Sequence, residues 1–284
     1  MNVESLVRRA QAGDKDALAE VVTAVQDDVH YLALRMLADP ERARDATQEI
    51  LIRVITKLST FAFRSAFRTW VFRVASNYLL DSGRRREAEQ AMTFDDYRAD
   101  LEVDLRAPHG LADSPEYPLL LNEVRVGCTM AMLLCLDRKH RLAYILGDIF
   151  ELDHREASEV LKIRPATFRK QLSRARARVV AFTRASCGLV SRDAACSCDR
   201  KLAGAIDRGR VDARRIRFAG GCKESWAEAR ERLRRTTDEL RTLKLQTAIP
   251  RFGSPESFGR MLEELIAAAG IEPPRAAGGE KRAN

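Results

Sequence analysis

Apolar residues recur at intervals of three and four along most of the chain, and the two-residue alternation of half-buried strands does not appear. Between Val3 and Leu37, the residues Leu6, Ala10, Leu18, Val22, Val25, Val29, Leu32 and Met36 mark one helical face, broken at Ala12-Gly13-Asp14. Asp39-Pro40-Glu41 restarts a helix: an aspartate can cap it, proline suits its first position, and glutamate suits the positive end of the dipole. Ala43, Ala46, Ile50, Val54 and Leu58 form the buried face of that helix. A third helix is predicted to begin near Ser65 or Thr69. It runs through Trp70, Val71, Val74, Leu79 and Leu80 to the basic end Arg84-Arg85-Arg86. The pattern predicts an all-α protein.

From about residue 83 to 118 the pattern changes. Ala107-Pro108-His109-Gly110, Asp113-Ser114-Pro115 and Pro118 interrupt helix, and Asp95, Asp96, Asp100, Glu102 and Asp104 make the stretch acidic. The predicted organisation is a first helical module over 1–86, a flexible acidic linker over 87–118, a second helical module over 119–184, and an extension over 185–284. Within the extension a cysteine cluster precedes an amphipathic, mainly helical part. There Trp226, Leu233, Leu240 and Thr247, with Leu243, follow a heptad-like spacing able to pack on the rest of the chain. Ser254-Pro255-Glu256 opens a further helix from Phe258 to Ala269, and residues 273–284 look frayed. A length of 284 residues suits two or three such modules.

Composition sharpens this. Apolar residues make up 45% of the chain, enough for cores. The 49 Lys and Arg against 41 acids give a net charge of +8, which favours an anionic partner. The excess is concentrated from Arg164 to Arg178, where there is no acid. Before it, Glu151 to Leu161 reads as a short helix capped by Asp153, Lys162-Ile163-Arg164 as a tight connection, and Pro165-Ala166-Thr167 as the start of a longer helix. Phe168, Leu172, Ala175 and Val179 would face inward, leaving Arg169, Lys170, Ser173, Arg174, Arg176 and Arg178 outward. A helix-turn-helix of this charge fits a DNA major groove, with phosphates setting its position and Thr167, Arg169 and Lys170 near base edges. The alternative is a solvated basic helix in an ordinary bundle.

The run Phe61 to Arg73 interleaves aromatics with arginines, and Asn77 lies one helical turn past Arg73. Unpaired DNA needs aromatic surfaces for its bases and cations for its phosphates. The competing reading is that Phe67, Trp70, Phe72 and Val74 simply fill a core.

Taken together, Asp45 to Arg53, Phe67 to Asp81 and Arg84-Arg85-Arg86 resemble region 2 of the extracytoplasmic-function (ECF) sigma factors of the sigma-70 superfamily. Ala157 to Leu161, with Thr167, Leu172, Arg174-Ala175-Arg176 and Val179, resembles their region 4. The resemblance spans roughly Leu6 to Arg184. It implies a non-catalytic subunit that binds core RNA polymerase and directs promoter-specific initiation. By this resemblance Asp45, Gln48, Glu49 and Arg53 face the polymerase. Phe63, Arg64, Ser65, Arg73, Asn77 and Arg84 read the melted non-template strand of the −10 element. Arg164, Thr167, Arg169, Lys170, Ser173, Arg174 and Arg176 read the −35 duplex. Two positions depart from the family's pattern. Arg164-Pro165-Ala166 stands where a small, glycine-bearing turn is usual, which implies different bases read, and Arg44 beside Asp45 reduces the usual acidic pair.

The extension holds Cys187, Cys196, Cys198 and Cys222, a set that could bind zinc or copper(I), form a redox-responsive pair, or be inert. Cys128 and Cys135 sit among apolar residues and read as core. No cofactor is required by the function implied. The extension could stabilise region 4 or act as an on-board regulator in place of a separate anti-sigma partner. The start of the chain has no signal-peptide pattern and no apolar run is long enough to span a bilayer, so a cytoplasmic protein without membrane or small-molecule partners is expected. Two rival functions remain: a stand-alone helix-turn-helix regulator, which leaves Phe67 to Asn77 unexplained, and a thiol oxidoreductase using Cys196 and Cys198, for which the βαβ pattern and Cys-x-x-Cys spacing are missing.

Overall fold

The computed structural model describes residues 2–81, 92–107, 110, 112–218, 238–247, 253, 254 and 258. These residues are helical, with no β-strand among them beyond two isolated bridges, Cys187 to Cys196 and Asp212 to Arg215. None of their helices is long and apolar enough to cross a membrane.

Helix ends are set by local chemistry. Asn2 caps α1 (Val3–Gln11) by accepting from the Glu4 amide at 3.0 Å, and Asp14 caps α2 (Lys15–Leu37) by accepting from Ala17 at 3.0 Å. Asp39 caps α3 (Pro40–Thr56) through the Glu41 and Arg42 amides, with Pro40 at the start as expected. A 3₁₀ turn at Leu58–Thr60 and a loop lead to α4 (Phe67–Asp81). These four helices bury the apolar faces read from the sequence, including Val22, Val29, Ile50, Val54, Val71 and Leu79.

The expectation of a linker over 87–118 needs correction. Phe94–Glu102 forms a helix, α5, whose start is closed by a reciprocal cap between Thr93 and Asp96. Tyr97 stacks on Phe182 (centroids 5.4 Å apart, planes at 16°), and Phe94 also meets Phe182 at 5.1 Å. The acid-rich composition concealed an apolar stripe, Phe94, Tyr97 and Leu101, at helical spacing.

The second module comprises α6 (Tyr117–Leu134), α7 (Arg138–Tyr144), a π turn (Ile145–Ile149), α8 (His154–Leu161) and α9 (Pro165–Ser186). It shares one core with the first module. Phe150 sets its ring against Tyr31 of α2 (5.6 Å) and Phe72 of α4 (4.9 Å). Two arginines of α7 seal the junction by capping open carbonyls. Arg141, buried, donates to Leu133, Leu134 and Leu136 and, across the junction, to Met36 at the end of α2. Arg138 donates to Leu79 and Leu80 at the end of α4. A guanidinium supplies several fixed donors where helix ends leave orphan acceptors, and its charge suits the negative end of the dipole.

In the extension, α10 (Cys198–Asp207) and α11 (Asp238–Thr247) are described. Leu202, Ala205 and Val211 close a second, smaller core over Leu120, Leu121 and Val124 of α6. The contact face of α11 is Thr242, Leu245 and Gln246, all buried, while Thr247 of the expected heptad stripe is exposed. Trp226 and Leu233 lie outside the described residues.

Candidate nucleic-acid interface

The helix-turn-helix is built as its sequence dictates. Asp153 caps α8 through the amides of Arg155 (2.7 Å) and Glu156 (2.9 Å), which hold its carboxyl below the usual carboxylate range. The turn is made by Lys162 in the left-handed region (φ +52°), followed by the extended Arg164 and by Pro165 at the first position of α9. Phe168, Leu172, Ala175 and Val179 are buried, as predicted. Gly147 lets α9 approach: a Cβ there would lie 2.7 Å from a Leu172 methyl and 3.2 Å from the Phe168 ring.

With that face down, Arg164, Thr167, Arg169, Lys170, Ser173 and Arg174 all project into solvent. Arg176 differs. Its guanidinium donates to Asp148 of the π turn from Nε at 3.1 Å and from Nη2 at 2.5 Å, and the carboxylate is buried. Arg176 therefore also neutralises a buried acid, while 55% of its side chain remains exposed on the same face as the others.

On α4, Asn77 is exposed, and Arg64 and Ser65 stand in the loop before the helix, Arg64 exposed and Ser65 half-buried. Phe63 adopts φ +57° and is half-buried, its ring between Phe61 (centroids 4.7 Å apart) and the guanidinium of Arg8 (3.9 Å). Phe67, Phe72 and Thr69 are buried and Trp70 is half-buried against Phe61 and Phe67, so most of the aromatic run does fill a core. Arg73 is neither open nor entombed: it pairs with Glu159 of α8 at 2.8 Å, and one turn earlier Thr69 donates to Glu156 at 3.0 Å. Sequence reasoning did not anticipate these cross-module contacts, since nothing local marks Glu156 and Glu159 as partners of α4. Arg84 lies outside the described residues.

Along α3, Asp45, Glu49 and Arg53 are exposed and Gln48 half-buried, at spacings that place them on one stripe. Arg53 lies over the Tyr78 ring at 4.9 Å, and Arg44 reaches Glu41 at 3.1 Å and Asp45 at 4.0 Å.

Cys135 is buried in the core and Cys128 packs against it, as the sequence predicts. Cys187 and Cys196 face each other across a β-bridge, the Gly188 amide donating to the Cys196 carbonyl at 2.8 Å. Cys128, read as core, joins them and Cys198 around a small cavity of about 40 Å³ that Tyr97 and Met132 also line. Burial pushes the Cys187 thiol up to about 11 and those of Cys196 and Cys135 to about 12, which makes them poor nucleophiles. Among the described residues no three His, Cys, Asp or Glu side chains are arranged to hold a metal ion, and Cys222 lies outside them.

An acid-free recognition helix behind a capped short helix, beside a second module with an exposed polar stripe, defines an α-helical DNA-binding protein. The comparisons with known proteins take this further. The model of sigma-70 region 2 matches residues 21–89 and that of sigma-70 region 4 matches 127–179. The chain is 29% identical to the ECF RNA polymerase sigma factor SigW of Bacillus subtilis over 62% of this chain and 94% of that one. It is 30% identical to the RNA polymerase sigma-H factor of Pseudomonas aeruginosa, over 61% of this chain and 89% of that one. A solved structure, the sigma factor RpoE with the anti-sigma factor NepR from Bartonella quintana, matches with a TM-score of 0.41 and 18% identity, over 58% of this chain and 95% of that one. The chain belongs to the ECF sigma factors of the sigma-70 family, proteins that direct transcription initiation. Both family-model matches end before the extension.

Proposed function

We propose that residues 1–86 bind core RNA polymerase and the melted −10 strand, and that residues 119–184 bind the −35 duplex, neither step involving catalysis by this chain. The reading rests above all on α9 and its N-cap Arg164, where all seven residues expected to meet the −35 element are exposed on an acid-free face, Arg176 while also pairing with Asp148. Arg164 and Arg174, with Ser173, set the helix on phosphates, while Thr167, Arg169 and Lys170 near its start reach base edges. Asp45, Gln48, Glu49 and Arg53 form the polymerase contact, and Arg64, Ser65, Arg73 and Asn77 the single-strand contact, with Phe63 placed beside them by its strained backbone. The cytoplasm is the compartment this function requires. Run-off transcription tests the assignment: adding the chain to core polymerase should yield promoter-dependent transcripts, and substituting Arg169 and Lys170 by alanine should remove them. Transcripts unchanged by that pair of substitutions would refute the −35 assignment.

A further inference from the structure

The extension holds the chain at three places. The first is the segment between the modules. Lys201 of α10, itself buried, donates to the Asp100 and Val103 carbonyls at 2.5 and 2.9 Å. Arg208 binds Asp100 (2.9 Å) and Asp104 (2.7 Å), Arg210 binds Asp100, and Arg106 pairs with Asp207. Gly204 is what permits this approach, since a Cβ there would lie 2.7 Å from the Asp104 Cβ and 2.9 Å from its carbonyl oxygen. The second place is region 2. The amide oxygen of Gln246 accepts from Arg35, which is completely buried between the modules, the Ser254 amide donates to Asp27 at 2.8 Å, and Arg215 reaches Glu41 at 3.1 Å. The third is region 4, where Thr242 and Thr183 share a hydrogen bond of 2.7 Å.

Geometry makes this consequential. Promoter elements centred about 25 base pairs apart are separated by roughly 85 Å of duplex, at ~3.4 Å per step. In this structure the two modules touch, with Arg73 and Glu159 at 2.8 Å. The 13 residue steps from Asp81 to Phe94 amount to at most about 43 Å of chain at ~3.3 Å per residue, so the distance to which the modules can part is limited as long as α10 holds the residues from Phe94 to Asp104. The ionic attachments are of a kind that can let go. Arg208, Arg210 and Arg106 keep 34%, 48% and 52% of their side chains exposed, so water and salt screen their pairs. Nε and Nη1 of Arg35 have no partner among the described residues, so that burial favours opening too.

We propose that the extension is an intramolecular clamp, holding α5 with Lys201, Arg208 and Arg210 and both modules with α11, that must release before the two promoter elements can be bound together. The proposal rests on the assignment of −10 and −35 reading given above. It is tested on the full chain carrying fluorophores on unnatural residues at the exposed positions Lys57 and Ala185. The free chain should give one short, narrow distance that lengthens when core RNA polymerase is added. Reversing Arg208→Glu and Arg210→Glu should lengthen it without polymerase and tighten polymerase binding about fivefold, as expected when a closed population no longer competes. Adding Asp100→Arg and Asp104→Arg should restore the short distance. An unchanged distance in the polymerase complex, or a folded reversed chain with the wild-type distance, overturns the clamp. If the reversed chain does not fold, the wild-type measurement with and without polymerase decides alone. If the wild type binds no polymerase, the functional reading fails instead, and the free-chain distances of the reversed variant decide the clamp.

Discussion

Arg174 and Arg176 stand two residues apart on α9, yet their neighbours give them separate tasks. Arg174 faces solvent, while Arg176 covers the buried Asp148. Arg176→Ala would strand that acceptor, which typically costs about 1–3 kcal/mol, toward the lower end here because the arginine is half exposed. A urea titration of each variant should show the loss for Arg176→Ala and, for Arg174→Ala, a change within about 0.5 kcal/mol. The DNA readout should run the other way: Arg174→Ala lowers the salt dependence of duplex binding by about one unit of slope, as loss of one phosphate contact does. Equal stability of the two variants would contradict the division. Sequence placed both on an outward face because periodicity reports only a helix's own geometry. Asp148 comes from a different turn, 28 residues earlier, and no local pattern announces it.

Helix by helix, the sequence was most legible where one residue settles the outcome. Asp39, Asp153 and Pro165 mark helix starts in the sequence and cap or open the helices observed, because capping is a contact of three or four residues. What was missed, the helix α5 and the polar contact face of the predicted helix α11, depends on partners far along the chain. The apolar stripe of α5 is a stripe only because Phe182 covers it, and α11 buries Thr242 and Gln246 because Thr183 and Arg35 await them. The helix-turn-helix yields two predictions. Lys162 holds a left-handed conformation that favours glycine, so Lys162→Gly should raise stability by about 0.5–1 kcal/mol after the entropy of the freer unfolded chain is counted. A lower denaturation midpoint would mean that the Lys162 side chain supports the turn. Asp153 has its folded-state pKa depressed, first by the Glu156 amide and then by that of Arg155. Its contribution is therefore complete above the unfolded carboxylate value near pH 4 and is lost as pH falls through the lower folded value. Asp153→Asn keeps a capping oxygen without the charge, so stability measured from pH 6 down to 2 should fall less steeply than in the wild type.

At the scale of the whole molecule the two surfaces proposed to read DNA are unequal: the one assigned to the −35 element is open and the one assigned to the −10 element is partly covered. The order of the modules was legible from their separate motifs. Their mutual closure was not, because Phe150, Arg138 and Arg141 read as ordinary residues of a bundle until the carbonyls and rings they meet are known. The polar part of the cover is slight. Glu159 is half exposed, and a pair of that kind contributes about 0–1 kcal/mol, so the apolar junction and the extension carry most of the closure. Glu156→Gln combined with Glu159→Gln should therefore strengthen binding of a single-stranded −10 oligonucleotide by no more than about fivefold. The same chain should bind duplex weakly and unspecifically in both forms. If the four cations Arg164, Arg169, Lys170 and Arg174 all meet phosphates in that unspecific mode, its logarithmic salt slope should be about −3.6. Fluorescence anisotropy on the two oligonucleotides separates the surfaces. A gain far above fivefold would place the closure in those two carboxylates, and equal gains on duplex and single strand would mean the substitutions act through net charge rather than by uncovering α4.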